Sequence, residues 1–191
     1  MGLIIKKEDS NAIIAVWKTT ESLTSLEKSF KHISIPNIHN QKRRKEIFSV
    51  RLLLKHLGIN DAITYKKGAP EIECGRHISI SHCADLSAII IGKRRNGIDI
   101  QEVSKKSLRI SSKFINQHIQ NLTKEKCTLI WAIKEAVFKW HRKGSVDFKK
   151  DIQIPDFNIA EKGKIDVNFK GEELIARYLK IENQFLVYVC K

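Results

Sequence analysis

The chain lacks most of the features that mark secreted, membrane-spanning or modular proteins. No apolar run approaches the ~20 residues that a membrane helix needs. The longest, AIIAVW (12–17) and SAIIIG (87–92), have the length of buried strands. Its N-terminus has no signal-peptide apolar region, and Lys6 stands where a myristoylation signal needs Ser or Thr. Cysteines number four, Cys74, Cys83, Cys127 and Cys190, with no C-x-x-C pair. Such scatter argues against a structural zinc site and a disulfide framework, and fits reduced thiols in a cytoplasmic protein. There is no Pro- or Ser-rich linker and no low-complexity stretch. Aromatics are only 7%, and no helix-turn-helix, zinc-finger or aromatic RNA-binding motif occurs.

What is abundant is positive charge. Thirty-five Lys and Arg against 21 Asp and Glu give a net +14. A field of that sign steers anions to the surface. Nucleic acid, a phosphate-rich cofactor or an acidic protein would each answer to it, and so would a merely solvated basic surface. Local clusters lie at Lys42–Lys45, Gly92–Arg95 and Phe138–Lys143. The length of 191 residues suits one domain or two small packed halves, and 42% hydrophobic residues can bury a core.

The apolar spacing predicts a helix from Glu21 and a second over QKRRKEIFSVRLLLKHLG (41–58), whose stripe is Ile47, Val50, Leu53, Leu54 and Leu57. Arg44 and Arg51 lie away from that stripe. NAIIAVWKTT predicts a first strand, ITYKKGAPEIE a strand pair, and HISISHC a strand ending near His82. LSAIIIG is another strand, and Asn96-Gly97 between two strand-like runs predicts a hairpin into IDIQEV. TKEKCTLIWAIKEAVFKWHRKG (123–144) is the clearest helix, with Thr123 as N-cap and Gly144 beyond a basic last turn. Two hairpins close the chain. This order predicts an α+β fold with antiparallel sheets, divided into halves 1–103 and 104–191.

Chemistry concentrates in two segments. Strand alternation sends Asp99 and Gln101 to one face and Ile98 and Ile100 to the other. On the long helix, Trp131, Glu135 and Lys139 share a face at i, i+4 and i+8. Glu135 and Lys139 could be an ordinary surface ion pair worth a few tenths of a kcal/mol. They could equally be a cation ligand and a phosphate contact, since Mg²⁺ typically takes one or two carboxylates plus water and phosphate oxygens.

NGIDIQE (96–102), followed about 30 residues on by WAIKEAVFKW (131–140), resembles the signature pair of the 4′-phosphopantetheinyl transferases. In that family a G-I-D-I-E strand and a W-x-x-K-E-A-x-x-K helix build one site. SISHC (79–83) resembles its N-I-S-H-S segment, KGAPEI (67–72) its G-K-P turn, and RRKEIFSVRLLLKHL (43–57) its basic helix. Length and coverage are similar to the larger, Sfp-type members.

The resemblance implies two similar halves, each an antiparallel sheet packed with helices, with the active site at their interface. It implies a monomeric, cytoplasmic enzyme that moves phosphopantetheine from coenzyme A to a serine of an acidic acyl or peptidyl carrier protein. Asp99 and Glu135 would be ligands of Mg²⁺, or of Mn²⁺, with Gln101 as a weak third. Glu135, Asp99 and Lys139 would be catalytic. Lys139, Lys134, His82, Ser81, Arg44, Arg51 and Lys67 would hold the coenzyme. His82 and Trp131 have ordinary structural alternatives, a hydrogen-bonding strand end and a packing ring.

Two positions depart from the family pattern. Gln101 replaces the second acid of the strand motif, and Ala69 replaces the lysine of the turn, leaving Lys66 or Lys67 to reach round. A nucleic-acid-binding module and a metal-dependent nuclease using Asp99 and Glu135 are the rival readings. The first rests only on net charge and the KRRK cluster, and the second does not explain SISHC.

Overall fold

A computed structural model describes residues 2–9, 12–31, 38–66, 68–73, 75–116 and 119–191. Its elements run β1 (Leu3–Asp9), β2 (Ala12–Lys18), α1 (Leu23–Ser29), α2 (Gln41–His56), β3 (Ile63–Lys66), β4 (Ala69–Ile72) and β5 (His77–Cys83). There follow β6 (Leu86–Gly92), β7 (Asn96–Glu102), α3 (Lys105–Arg109), a 3₁₀ turn (Ser111–Lys113) and α4 (Lys124–His141). The chain closes with β8 (Ile152–Gln153), β9 (Lys162–Phe169), β10 (Glu172–Ile181) and β11 (Gln184–Cys190).

The α+β expectation holds. One sheet has the order β1-β2-β6-β5-β4-β3 and the other β7-β11-β10-β9-β8, and the strand pairs are antiparallel. Helices and sheets stack in layers. Val50, Leu53 and Leu54 of α2 pack on one face of the first sheet against Ile78, Ile89 and Ile91. Its opposite face, Ile14, Val16, Ala88 and Ile90, packs on Ile98, Ile100, Leu186 and Tyr188 of the second sheet. The far face of that second sheet, including Val187 and Val189, takes the stripe Leu129, Ile133, Val137 and Trp140 of α4. Strand β6 is buried along its whole length because both of its faces are covered, which explains its unbroken apolar run.

The hairpin expected at Asn96-Gly97 does not form. Both edges of β6 are already taken, by β2 and β5, so β7 crosses over and pairs with β11, Ile98 opposite Tyr188 and Ile100 opposite Leu186. By hydrogen bonding, β7 belongs with the second half, so the sheets part at Lys93–Arg95 and not at residue 103. The closing strands β9, β10 and β11 form one meander instead of two separate hairpins. The N-terminal residues add an edge strand, β1, that the sequence pattern did not resolve. No helix among the described residues is long and apolar enough to cross a membrane.

Candidate active site

Strand β7 is the outermost strand of its sheet, and its free edge lies against β5. That edge would expose backbone N–H groups with no ladder partner. Two serines of β5 supply the missing acceptors. Ser79 Oγ accepts from Ile98 N at 3.1 Å and Ser81 Oγ accepts from Ile100 N at 3.2 Å. Asn96 Nδ2 adds a bond to His77 O at 2.9 Å. The alternating serines of SISHC thus join the two sheets along the open edge of β7.

Gly97 sets the distance to α4. A Cβ there would strike the Ala136 carbonyl oxygen and come within 2.6 Å of Trp140 N. The glycine is needed for close approach of a helix backbone, and not for a turn.

On the α4 face of β7 sits Asp99, only 2% exposed. Its Oδ1 accepts from Lys139 Nζ at 2.6 Å and from Ser81 Oγ at 2.7 Å, and its Oδ2 accepts from Gln101 Nε2 at 2.8 Å. Lys139 also reaches Ser81 Oγ, at 3.1 Å. The strand alternation and helix spacing read from sequence therefore converge on one point. Glu135, one turn before Lys139, lines the adjoining cavity. Burial, then the like charge of Asp99, push its carboxyl above the usual range, with Lys139 opposing.

The cavity holds about 450 Å³ between β5, the end of α4, the start of α2 and the β3–β4 segment. Arg43, Lys139 and Arg142 line it, with Tyr65, Phe138, His82 and Gly68–Pro70. His82 lies on the α2 side of β5, its Nδ1 sharing a hydrogen bond with Ser87 Oγ at 3.2 Å. Burial lowers its pKa to about 4, and Arg43 and Lys139 add to that against Glu46. The ring is therefore a neutral group at physiological pH, able to donate one N–H and accept at the other nitrogen.

Several expected contacts are not brought to the cavity. Lys134 is 2% exposed, and its ammonium donates to the backbone oxygens of Phe148 (2.6 Å) and Ile152. Burial lowers its pKa to about 8, and Asp147 opposes this. A phosphate role does not suit a side chain so committed; it ties α4 to Phe148 and to the start of β8 at Ile152. Arg44 pairs with Glu27 of α1 and is not among the lining residues. Arg51 is half-buried, its pKa lowered by burial, with Tyr65 opposing; it too is absent from the lining. Lys67 lies outside the described residues. Trp131 packs edge-on against Phe114 and tilted on Phe148, a packing role.

Two lining cations, Arg43 and Arg142, are not among the residues that the sequence motifs single out. Arg43 and Arg142 each lie in a basic cluster, Lys42–Lys45 and Phe138–Lys143, that a solvated surface explains equally well. Neighbouring basic residues differ only in where the backbone aims them, so no sequence signal separated Arg43 from Arg44.

The donor set suits a hard divalent cation. Asp99 is an anionic oxygen donor that accepts the Lys139 ammonium at 2.6 Å. Its neighbour Gln101 turns its N–H group to Asp99 and carries an amide oxygen, a donor type that Mg²⁺ accepts. No group of three His, Cys, Asp or Glu occurs among the described residues. Mg²⁺ does not require one, since waters and phosphate oxygens complete its shell.

The family model described as the 4′-phosphopantetheinyl transferase superfamily matches residues 95–190. That span carries β7, α4 and the second sheet, and leaves Ser81 and His82 outside. No curated protein matches the chain.

Proposed function

The chain belongs to the 4′-phosphopantetheinyl transferase superfamily, and from that premise we propose that it transfers phosphopantetheine from coenzyme A to a serine of an apo acyl or peptidyl carrier protein. The observation that carries this reading is the convergence of Asp99, Gln101 and Ser81 around Lys139, which with Glu135, Arg43 and Arg142 lines the adjoining cavity.

In the proposed reaction the carrier serine oxygen attacks the β-phosphorus of coenzyme A. A new P–O bond forms, the bond to the leaving phosphate oxygen breaks, and 3′,5′-ADP departs with that electron pair. The serine proton passes to Glu135, directly or through water. Asp99, Glu135 and the Gln101 oxygen would hold Mg²⁺ or Mn²⁺, which when bound would neutralise charge developing on the pyrophosphate.

Lys139 gains a second role in that state. An ammonium shared between Asp99 and Ser81 can turn to a phosphate oxygen while keeping contact with the serine hydroxyl. His82, neutral and close to Arg43, can donate an N–H to the nucleotide end. Phosphoryl transfer asks little covalent work of a protein beyond alignment and charge neutralisation, and this set supplies both. The basic surface suits coenzyme A and an acidic carrier alike.

The test is the fate of coenzyme A. Incubated with Mg²⁺, wild-type protein should release 3′,5′-ADP only when an apo carrier with its serine is present. Release without a carrier, or none with any of several acyl and peptidyl carriers, would contradict the proposal.

A further inference from the structure

Arg142 stands apart from the other cations of the cavity. It follows the last turn of α4 in the left-handed conformation, φ 61° and ψ 3°, where glycine is favoured and a larger residue carries strain. Its guanidinium nevertheless reaches from the second half to the first. One terminal nitrogen donates to the Pro70 carbonyl oxygen, and the other lies 3.3 Å from His77 Nδ1. Arginine is only a donor, so that imidazole nitrogen must be the acceptor.

The charge balance is the second observation. Three cationic side chains line the cavity among the described residues. Arg43 pairs with Glu46 at 3.1 Å and Lys139 with Asp99 at 2.6 Å. Arg142 has no carboxylate partner among the described residues; a carbonyl and a neutral imidazole leave its charge uncompensated. A guanidinium has five N–H donors, and two contacts leave three unspent.

We propose that Arg142 is the anion-binding and positioning residue of this cavity: it fixes the Gly68–Pro70 wall against the end of α4 and presents its remaining N–H groups to a phosphate of a bound nucleotide. A planar fork suits a phosphate better than a point charge does. A strained backbone kept for the sake of a side chain that bridges the two halves has its explanation in that ligand. The assignment rests on the coenzyme A reading of the same cavity.

Calorimetric titration of the full chain with 3′,5′-ADP, alongside thermal melts, tests it. Arg142→Gly removes the side chain and the backbone strain together, so Tm should stay within a few degrees of wild type, while affinity falls by about tenfold or more. Arg142→Lys should fall between the two, about threefold weaker than wild type. Equal affinity in wild type and Arg142→Gly, or any other order of the three, overturns the assignment. A binding loss that merely follows unfolding of Arg142→Gly overturns it too. If wild-type protein binds neither 3′,5′-ADP nor coenzyme A, the coenzyme reading fails instead. Inorganic pyrophosphate then serves as the probe, and the same order of affinities is required of it.

Discussion

Lys139 and Asp99 hold each other at 2.6 Å across the gap between α4 and β7, the carboxylate 2% exposed and the lysine side chain 26%. The two partners are unequally buried, so removing one is not equivalent to removing the other. Lys139→Ala strands a buried carboxylate with only neutral donors and should cost about 3 kcal/mol. In Asp99→Asn the ammonium can turn to water and the amide can still accept from Ser81, so the cost should be nearer 1 kcal/mol. Urea unfolding of both variants checks the ranking, and the reverse order contradicts it.

Gly97 predicts a packing failure. Gly97→Ala forces a methyl into the α4 backbone at Ala136 and Trp140. The helix cannot yield without moving Glu135 and Lys139 away from Asp99. We expect a loss of about 3 kcal/mol in stability and loss of transfer activity together. An alanine variant with wild-type Tm would show that α4 has room to spare.

Glu135 should trade stability for function. Its pKa is raised in the folded state by burial and by Asp99. A carboxyl so shifted favours the fold at low pH, where it is protonated, and that contribution is lost as pH rises through the folded-state value. Glu135→Gln is neutral at every pH. It should raise Tm at pH 7, lose that advantage near pH 4, and be inactive. A lower Tm at pH 7 would place some unseen stabilising partner on the carboxylate.

His82 has the opposite slope. Its folded pKa of about 4 lies below the ordinary 6.5. Between those values the unfolded chain binds a proton that the fold does not, so stability declines as pH falls from 6.5 toward 4. Comparing His82→Gln with wild type by denaturant unfolding at pH 5 and pH 7.5 isolates this share. The variant should lose less stability than wild type on acidification; an equal loss would remove His82 from the account.

Much of this site was legible in advance because local periodicities carried it. The two-residue repeat of β7 put Asp99 and Gln101 on one face, and the helical repeat of α4 put Glu135 beside Lys139. Thr123 caps α4 as its position suggested, accepting from Lys126 N at 3.2 Å. What stayed hidden was non-local. Whether β7 pairs with β6 depends on which strands already occupy β6, and nothing near Asn96-Gly97 records that. Lys134 and Lys139 are both lysines of one motif, yet only the packing of α4 on the second sheet buries the first and aims the second at Asp99. Arg142 acquires meaning only from Pro70 and His77, more than 60 residues away in the chain.

The intact mass of an apo carrier protein after incubation with coenzyme A and Mg²⁺ decides whether this chain transfers phosphopantetheine. We expect a gain of one phosphopantetheine, roughly 340 Da from its covalent composition, with wild-type protein and none with Asp99→Ala or Glu135→Ala. An unchanged mass for every acyl and peptidyl carrier tried, or the same gain with Glu135→Ala, would contradict it.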